Sequence, residues 1–102
     1  GGLPGNAPRM FSQKNLGVLF DRLPAPPPAM IELQRLGRIS DREAYETWNM
    51  GIGMVLIAEN TQKTIELLRK TGLKASVVGT VISKPEVIID MASNKQKLVF
   101  EI

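Results

Sequence analysis

Two glycine-bearing stretches hold the residue types that can do chemistry in this chain. The first is Gly1-Gly2-Leu3-Pro4-Gly5-Asn6-Ala7-Pro8-Arg9. The second is Thr47-Trp48-Asn49-Met50-Gly51-Ile52-Gly53, set directly ahead of the apolar run Met54-Val55-Leu56-Ile57-Ala58. The chemistry they suit is anion holding. Glycine lets a backbone bend sharply or come close to a ligand, so that main-chain N–H groups meet a phosphate. The planar guanidinium of Arg9 suits a phosphate held through two parallel bonds. On this reading Gly1, Gly2, Asn6, Arg9, Thr47, Asn49, Gly51 and Gly53 hold a ribose phosphate or a nucleotide phosphate. Structural alternatives stay open for the same residues. Gly-x-Gly equally serves a closely packed neighbouring strand or helix. Arg9 serves as a solvated charge or in a salt bridge, and Asn49 and Thr47 can brace a turn through local side-chain-to-backbone bonds.

Composition narrows the rest. The chain has no His and no Cys. That excludes the usual zinc sites, thiol redox chemistry and Ser-His or Cys-His triads within this segment. Acid–base work would fall to Asp, Glu, Lys or Tyr, but no catalytic side chain and no metal ligand stands out. The net charge of +3 invites an anionic partner. The charges are scattered, however, and Lys70/Lys74 and Lys95/Lys97 do not form a block, so nucleic acid is not expected. No apolar run reaches the roughly 18–20 residues a bilayer span needs. With no signal-peptide pattern either, no membrane is expected and the location is expected to be cytoplasmic. A hydrophobic content of 43% with only 5% aromatics describes a globular chain with an aliphatic, Met-based core.

Several elements must position the two stretches. The glycines and prolines of residues 1–8 read as a loop. Asn15–Phe20 reads as a short strand, and Leu23–Pro28 as a stiff extended link. A helix is predicted over Pro27–Leu36, with Met30, Leu33 and Leu36 on one face and Gly37 as its left-handed end. Ser40 and Glu43 form a capping box that starts a helix running to Thr47. Met54–Ala58 reads as a buried strand. Another helix spans Thr61–Thr71, capped by Asn60 or Thr61 and closed by Gly72 and Leu73. Strands follow at Ala75–Ile82, Glu86–Asp90 and Lys97–Ile102, with a turn at Ser93-Asn94-Lys95. Helices interleaved with strands predict an α/β or α+β layer structure.

The stretch Thr47–Met54 resembles the Thr-Phe-Asn-Met-Gly-Ile-Gly-Met signature of phosphoribosylformylglycinamidine cyclo-ligase, also called aminoimidazole ribonucleotide (AIR) synthetase. Trp48 stands where that family usually has Phe. The opening resembles the end of a second family motif, His-Ile-Thr-Gly-Gly-Gly-x-x-x-Asn-x-Pro-Arg, in the family's order and at about its spacing. Between them, Glu43-Ala44-Tyr45-Glu46-Thr47-Trp48-Asn49 is similar to Glu-Met-Tyr-Arg-Thr-Phe-Asn. Glu46 replaces the frequent Arg and reverses a charge beside the signature.

The resemblance covers the later part of the family's C-terminal domain. It implies an α+β fold, a mixed sheet with helices on one side. Residues 1–102 would be a partial C-terminal domain, with the N-terminal ATP-binding domain or subunit as its partner. The family closes formylglycinamidine ribonucleotide to aminoimidazole ribonucleotide in purine synthesis. ATP phosphorylates the formyl oxygen, and the ring nitrogen then displaces phosphate. The resemblance therefore implies a small-molecule ribonucleotide substrate, with ATP and Mg2+ bound mainly outside this chain. The segment alone is expected to be inactive. A homo-oligomer is expected, since a truncated sheet leaves open edges. Two other classes remain. One is a relative of the same superfamily, namely thiamine-monophosphate kinase, selenophosphate synthetase, formylglycinamidine synthase or the hydrogenase maturation factor. The other is a non-catalytic binding or structural module.

Overall fold

The computed structural model describes residues 1–11, 15–91 and 96–102. Four helices are described: α1 (Leu3–Asn6), α2 (Pro28–Leu36), α3 (Asp41–Thr47) and α4 (Thr61–Lys70). A 3₁₀ turn, Ala7–Met10, continues α1. Four strands, β1 (Gly17–Phe20), β2 (Thr80–Ile82), β3 (Glu86–Met91) and β4 (Gln96–Glu101), form one sheet in the order β2-β1-β3-β4. The β1–β3 pair is parallel and the outer pairs are antiparallel. The sheet is therefore mixed and the domain α+β, as the sequence implies.

Alternation along the strands decides where the core sits. Val18 stands opposite Val87 and Val87 opposite Phe100, while Phe20 stands opposite Ile89. Side chains two apart share a face, so these residues and Met91 line one side of the sheet, and all are buried. Leu3, Ala7 and Phe11 from the opening segment join them, with Ala44 and Tyr45 from α3 and Met50 just after it. The opposite face carries the row Leu19, Ile88 and Val99, in which Val99 is exposed.

Local signals account for the helices. Pro4 and Pro8 fall in the first turns of α1 and the 3₁₀ turn, where a missing N–H leaves nothing unpaired. This is why residues 1–8, read from their Gly and Pro content as a loop, are instead largely helical. Ser40 Oγ accepts the N–H of Glu43 at 3.2 Å, the first half of the capping box. At α4, Asn60 Oδ1 accepts the N–H of Lys63 at 3.1 Å. Gly72 has a φ of 85°, and Leu73 N–H reaches Leu68 O at 3.3 Å, a Schellman closure.

Four further expectations are corrected. Gly37 does not take the left-handed position after α2. Arg38 does, with φ 52°, and its successor Ile39 donates to Gln34 O at 3.0 Å, so the same closure forms one residue later. Met54–Ala58 is not a buried strand. It has no regular structure, and Met54, Leu56 and Ile57 are 79, 54 and 53% exposed. The strand expected over Ala75–Ile82 is regular only at Thr80–Ile82; before it, Val78 O accepts the N–H of Arg22 at 3.1 Å. α2 exposes Leu33 and Leu36, two of the residues expected on its apolar face. The turn at Ser93-Asn94-Lys95 lies outside the described residues.

Candidate functional site

The two glycine-bearing stretches meet because the opening segment is tied to the end of α3. Gly2 N–H donates to Glu46 O at 3.0 Å. A Cβ on Gly2 would lie 1.7 Å from Tyr45 O, so only glycine permits this approach. Tyr45 is buried below this junction. Burial, and secondarily the Asp41 carboxylate, raise its phenol above the ordinary tyrosine range.

The turn after α3 supplies the second wall. Met50 and Gly51 both have positive φ, 52° and 91°. Ile52 N–H closes on Asn49 O at 3.0 Å, giving a tight turn of the mirror-image class. Asn49 Oδ1 also accepts the N–H of Gly51 at 2.9 Å. The turn-bracing role open to Asn49 is thus realised. Met50 holds an unfavourable conformation for a residue with a side chain, and its burial in the core secures it there.

Between the walls lies an open cavity of about 330 Å³. On one side it is lined by Gly1, Gly2, Leu3, Asn6, Ala7 and Met10. On the other stand Asn49, Ile52, Gly53, Met54 and Val55. Leu3, Ala7 and Met10 share one face of the helical opening because they are three or four residues apart. Asn6 Nδ2 donates back to Gly2 O at 2.9 Å. A Cβ on Gly53 would meet nothing within 4 Å, so this glycine faces open space.

The structure therefore brings together Gly1, Gly2, Asn6, Asn49 and Gly53, and leaves Arg9, Thr47 and Gly51 outside the lining. Arg9 is exposed on the 3₁₀ turn, next to the lining residue Met10. Thr47 is exposed at the last position of α3. Gly51 packs on Pro27, whose Cδ would stand 2.7 Å from an added Cβ. Of the main-chain N–H donors expected there, those of Gly2, Gly51 and Ile52 are taken by Glu46 O and by Asn49. Glu46, the reversed charge, pairs with Arg42 on its own helix at 3.2 Å and does not line the cavity. Arg42 also lies 4.2 Å over the Phe100 ring.

The apolar lining residues Leu3, Ala7, Met10, Ile52, Met54 and Val55 are not among the site residues expected from the sequence. For Leu3, Ala7 and Met10 the helical spacing in the opening segment is the available signal, masked by the density of Gly and Pro. A second cavity, of about 310 Å³, lies along α4 between Thr61, Ile65, Arg69 and Val77, and holds none of the expected site residues. Among the described residues, no three His, Cys, Asp or Glu are grouped to hold a metal ion. With no acidic side chain at the pocket either, these residues do not fit a Mg2+-nucleotide. Among the described residues, no helix is long and apolar enough to cross a membrane.

These features define a small α+β domain in which a helical opening segment and the turn after α3 close on one open pocket of mixed polar and apolar lining. Residues 1–91 match the family described as AIR synthase related protein, C-terminal domain, and the chain belongs to that family. It is 42% identical over 89 residues to a phosphoribosylformylglycinamidine cyclo-ligase of Methanocaldococcus jannaschii, a match covering 83% of this chain and 25% of the relative. A protein of the same name from Methanococcus vannielii is 34% identical, over 97% of this chain and 29% of the relative. One from Sorangium cellulosum is 38% identical, over 85% of this chain and 26% of the relative. The chain thus spans about a quarter of the length of the curated relatives it matches. Comparison with solved structures gives no significant match.

Proposed function

We propose that this chain serves as C-terminal domain material of an AIR synthetase-type cyclo-ligase. Its pocket between α1 and the Asn49–Val55 turn forms one wall of the cleft that holds the ribonucleotide substrate. The observation that carries this reading is that both motifs resembling the cyclo-ligase line a single pocket. Asn6 and Asn49 orient the ligand through their amides, and Gly53 leaves room for it. Arg9, exposed beside Met10, meets the ligand phosphate at the rim, where a guanidinium is well matched to it.

ATP and Mg2+ belong to a partner domain or subunit. The domain acts on the ligand by binding and orienting it, which is where much of a barrier to ring closure is removed. The ATP-dependent ring closure of formylglycinamidine ribonucleotide is then chemistry of the completed assembly.

The test is turnover with purified components. The chain alone, given ATP, Mg2+ and formylglycinamidine ribonucleotide, is expected to form no aminoimidazole ribonucleotide. Mixed with the N-terminal portion of the Methanocaldococcus jannaschii relative, it is expected to support ATP-dependent product formation. Turnover by the chain alone, above that of an Asn49→Asp variant, would contradict the division of labour. A mixture that assembles and binds the ribonucleotide but never forms product would favour a non-catalytic module.

A further inference from the structure

We propose that this pocket takes the uncharged, ring- or amide-bearing end of the ribonucleotide and leaves its phosphate outside. The inference rests on the pocket's being the ribonucleotide wall and adds which half of the ligand it selects. The first observation is charge. None of the side chains lining the cavity is ionisable, and the chain's α-amino group at Gly1 is the sole formal charge on the lining residues. A phosphate placed there would meet no cationic side chain, whereas Arg9, outside the lining beside Met10, offers a guanidinium at the rim. Converging main-chain donors can replace a cation. Here, however, the N–H groups of the lining residues Gly2 and Ile52 are bonded within the fold, and of the donors expected in the two glycine stretches Gly53 N–H alone does not make a converging set.

The second observation is what the walls do offer. Leu3, Ile52, Met10 and Met54 supply apolar surface, and methionine adapts readily to the face of a ring. The two amides are each half used. Asn6 spends an Nδ2 hydrogen on Gly2 O, which leaves Oδ1 as an acceptor. Asn49 spends Oδ1 on Gly51 N–H, which leaves Nδ2 as a donor. Apolar side chains beside neutral amides that keep both donor hydrogens and acceptor lone pairs complement a neutral amide or an amino-substituted ring. The cavity of about 330 Å³ is in the size range of small-molecule pockets.

The experiment splits the ligand. The chain, with its α-amino group acetylated to remove that charge, is titrated with 5-aminoimidazole riboside, with ribose 5-phosphate and with the intact ribonucleotide. The NMR signals of the Asn6 and Asn49 side-chain amides and the Gly53 main-chain amide are followed. The riboside is expected to move these signals and ribose 5-phosphate to leave them in place. The Asn49→Asp variant keeps the oxygen that braces Gly51 and loses the Nδ2 donor. It is expected to weaken riboside binding roughly ten-fold, the scale of one unsatisfied buried partner. Movement of the three signals by ribose 5-phosphate overturns the proposal and leaves the site in place. So does movement by the intact ribonucleotide with neither half effective. If the intact ribonucleotide moves none of them, the ribonucleotide site itself fails, and the proposal fails with it.

Discussion

Helices α3 and α4 start alike and end in different surroundings. Each is capped by a side-chain oxygen that accepts the N–H three residues on, from Ser40 and from Asn60. α3 has seven residues and buries Ala44 and Tyr45. α4 has ten and buries none. The contrast extends to the neighbouring apolar runs. Val87 and Ile89 on β3 are fully buried, whereas Met54, Leu56 and Ile57 ahead of α4 are more than half exposed. Composition does not separate these runs, since both are rich in large aliphatic residues. What separates them is partners: β3 lies between β1 and β4, while among the described residues no strand pairs with the run before α4. Caps and helix closures act within one turn. Burial requires a second element to be present.

That contrast can be broken by deletion of side-chain volume. Ile89→Ala is expected to destabilise the chain by about 2–5 kcal/mol in urea unfolding, the range for an aliphatic side chain removed from a packed core. Ile57→Ala is expected to change stability by less than about 0.5 kcal/mol. Similar losses from the two would show that the run before α4 is packed after all.

Two glycines at the pocket sharpen the comparison next. Gly2→Ala forces a methyl into Tyr45 O and is expected to lower stability by about 1–3 kcal/mol, as overpacking does. Gly53→Ala meets open space and is expected to leave thermal unfolding almost unchanged. A neutral Gly2→Ala would mean that the opening segment is not fixed on α3.

The caps give a smaller effect with a different signature. Ser40→Ala is expected to cost about 1 kcal/mol of global stability, because α3 is part of the core. Asn60→Ala removes an equivalent bond, but the loss is expected to appear as faster amide hydrogen exchange within α4 alone. Global destabilisation by Asn60→Ala would place α4 in the same cooperative unit as the sheet.

The smallest effect is alkaline. The raised Tyr45 phenol, caused first by burial and then by Asp41, stays protonated in the fold after the unfolded chain ionises. Its contribution is complete below the ordinary tyrosine range and is lost as pH rises through the folded value. Stability is therefore expected to decline above about pH 10, and Tyr45→Phe to flatten that decline.

Much of this architecture is legible in the residues. β1, β3 and β4 follow from short branched runs, α3 from Ser40 and Glu43, and the end of α4 from Gly72 and Leu73. The errors share one cause. Apolar content at Met54–Ala58 implies burial, but burial depends on neighbours that no local pattern specifies. Pro4 and Pro8 read as loop signals, although a proline in a first helical turn is compatible with the helix. At the site, glycine content points to the two stretches that meet at the pocket. It could not show that the Gly2, Gly51 and Ile52 donors are used internally, since that depends on Glu46 and Asn49 being folded against them.

The measurement closest to the central claim is a titration of the chain with formylglycinamidine ribonucleotide, mapped residue by residue by amide NMR. The account expects saturable changes at Asn6, Asn49 and Gly53, on both walls of the pocket. Changes confined to the cavity along α4, around Ile65 and Val77, or no saturable change at all, would contradict it.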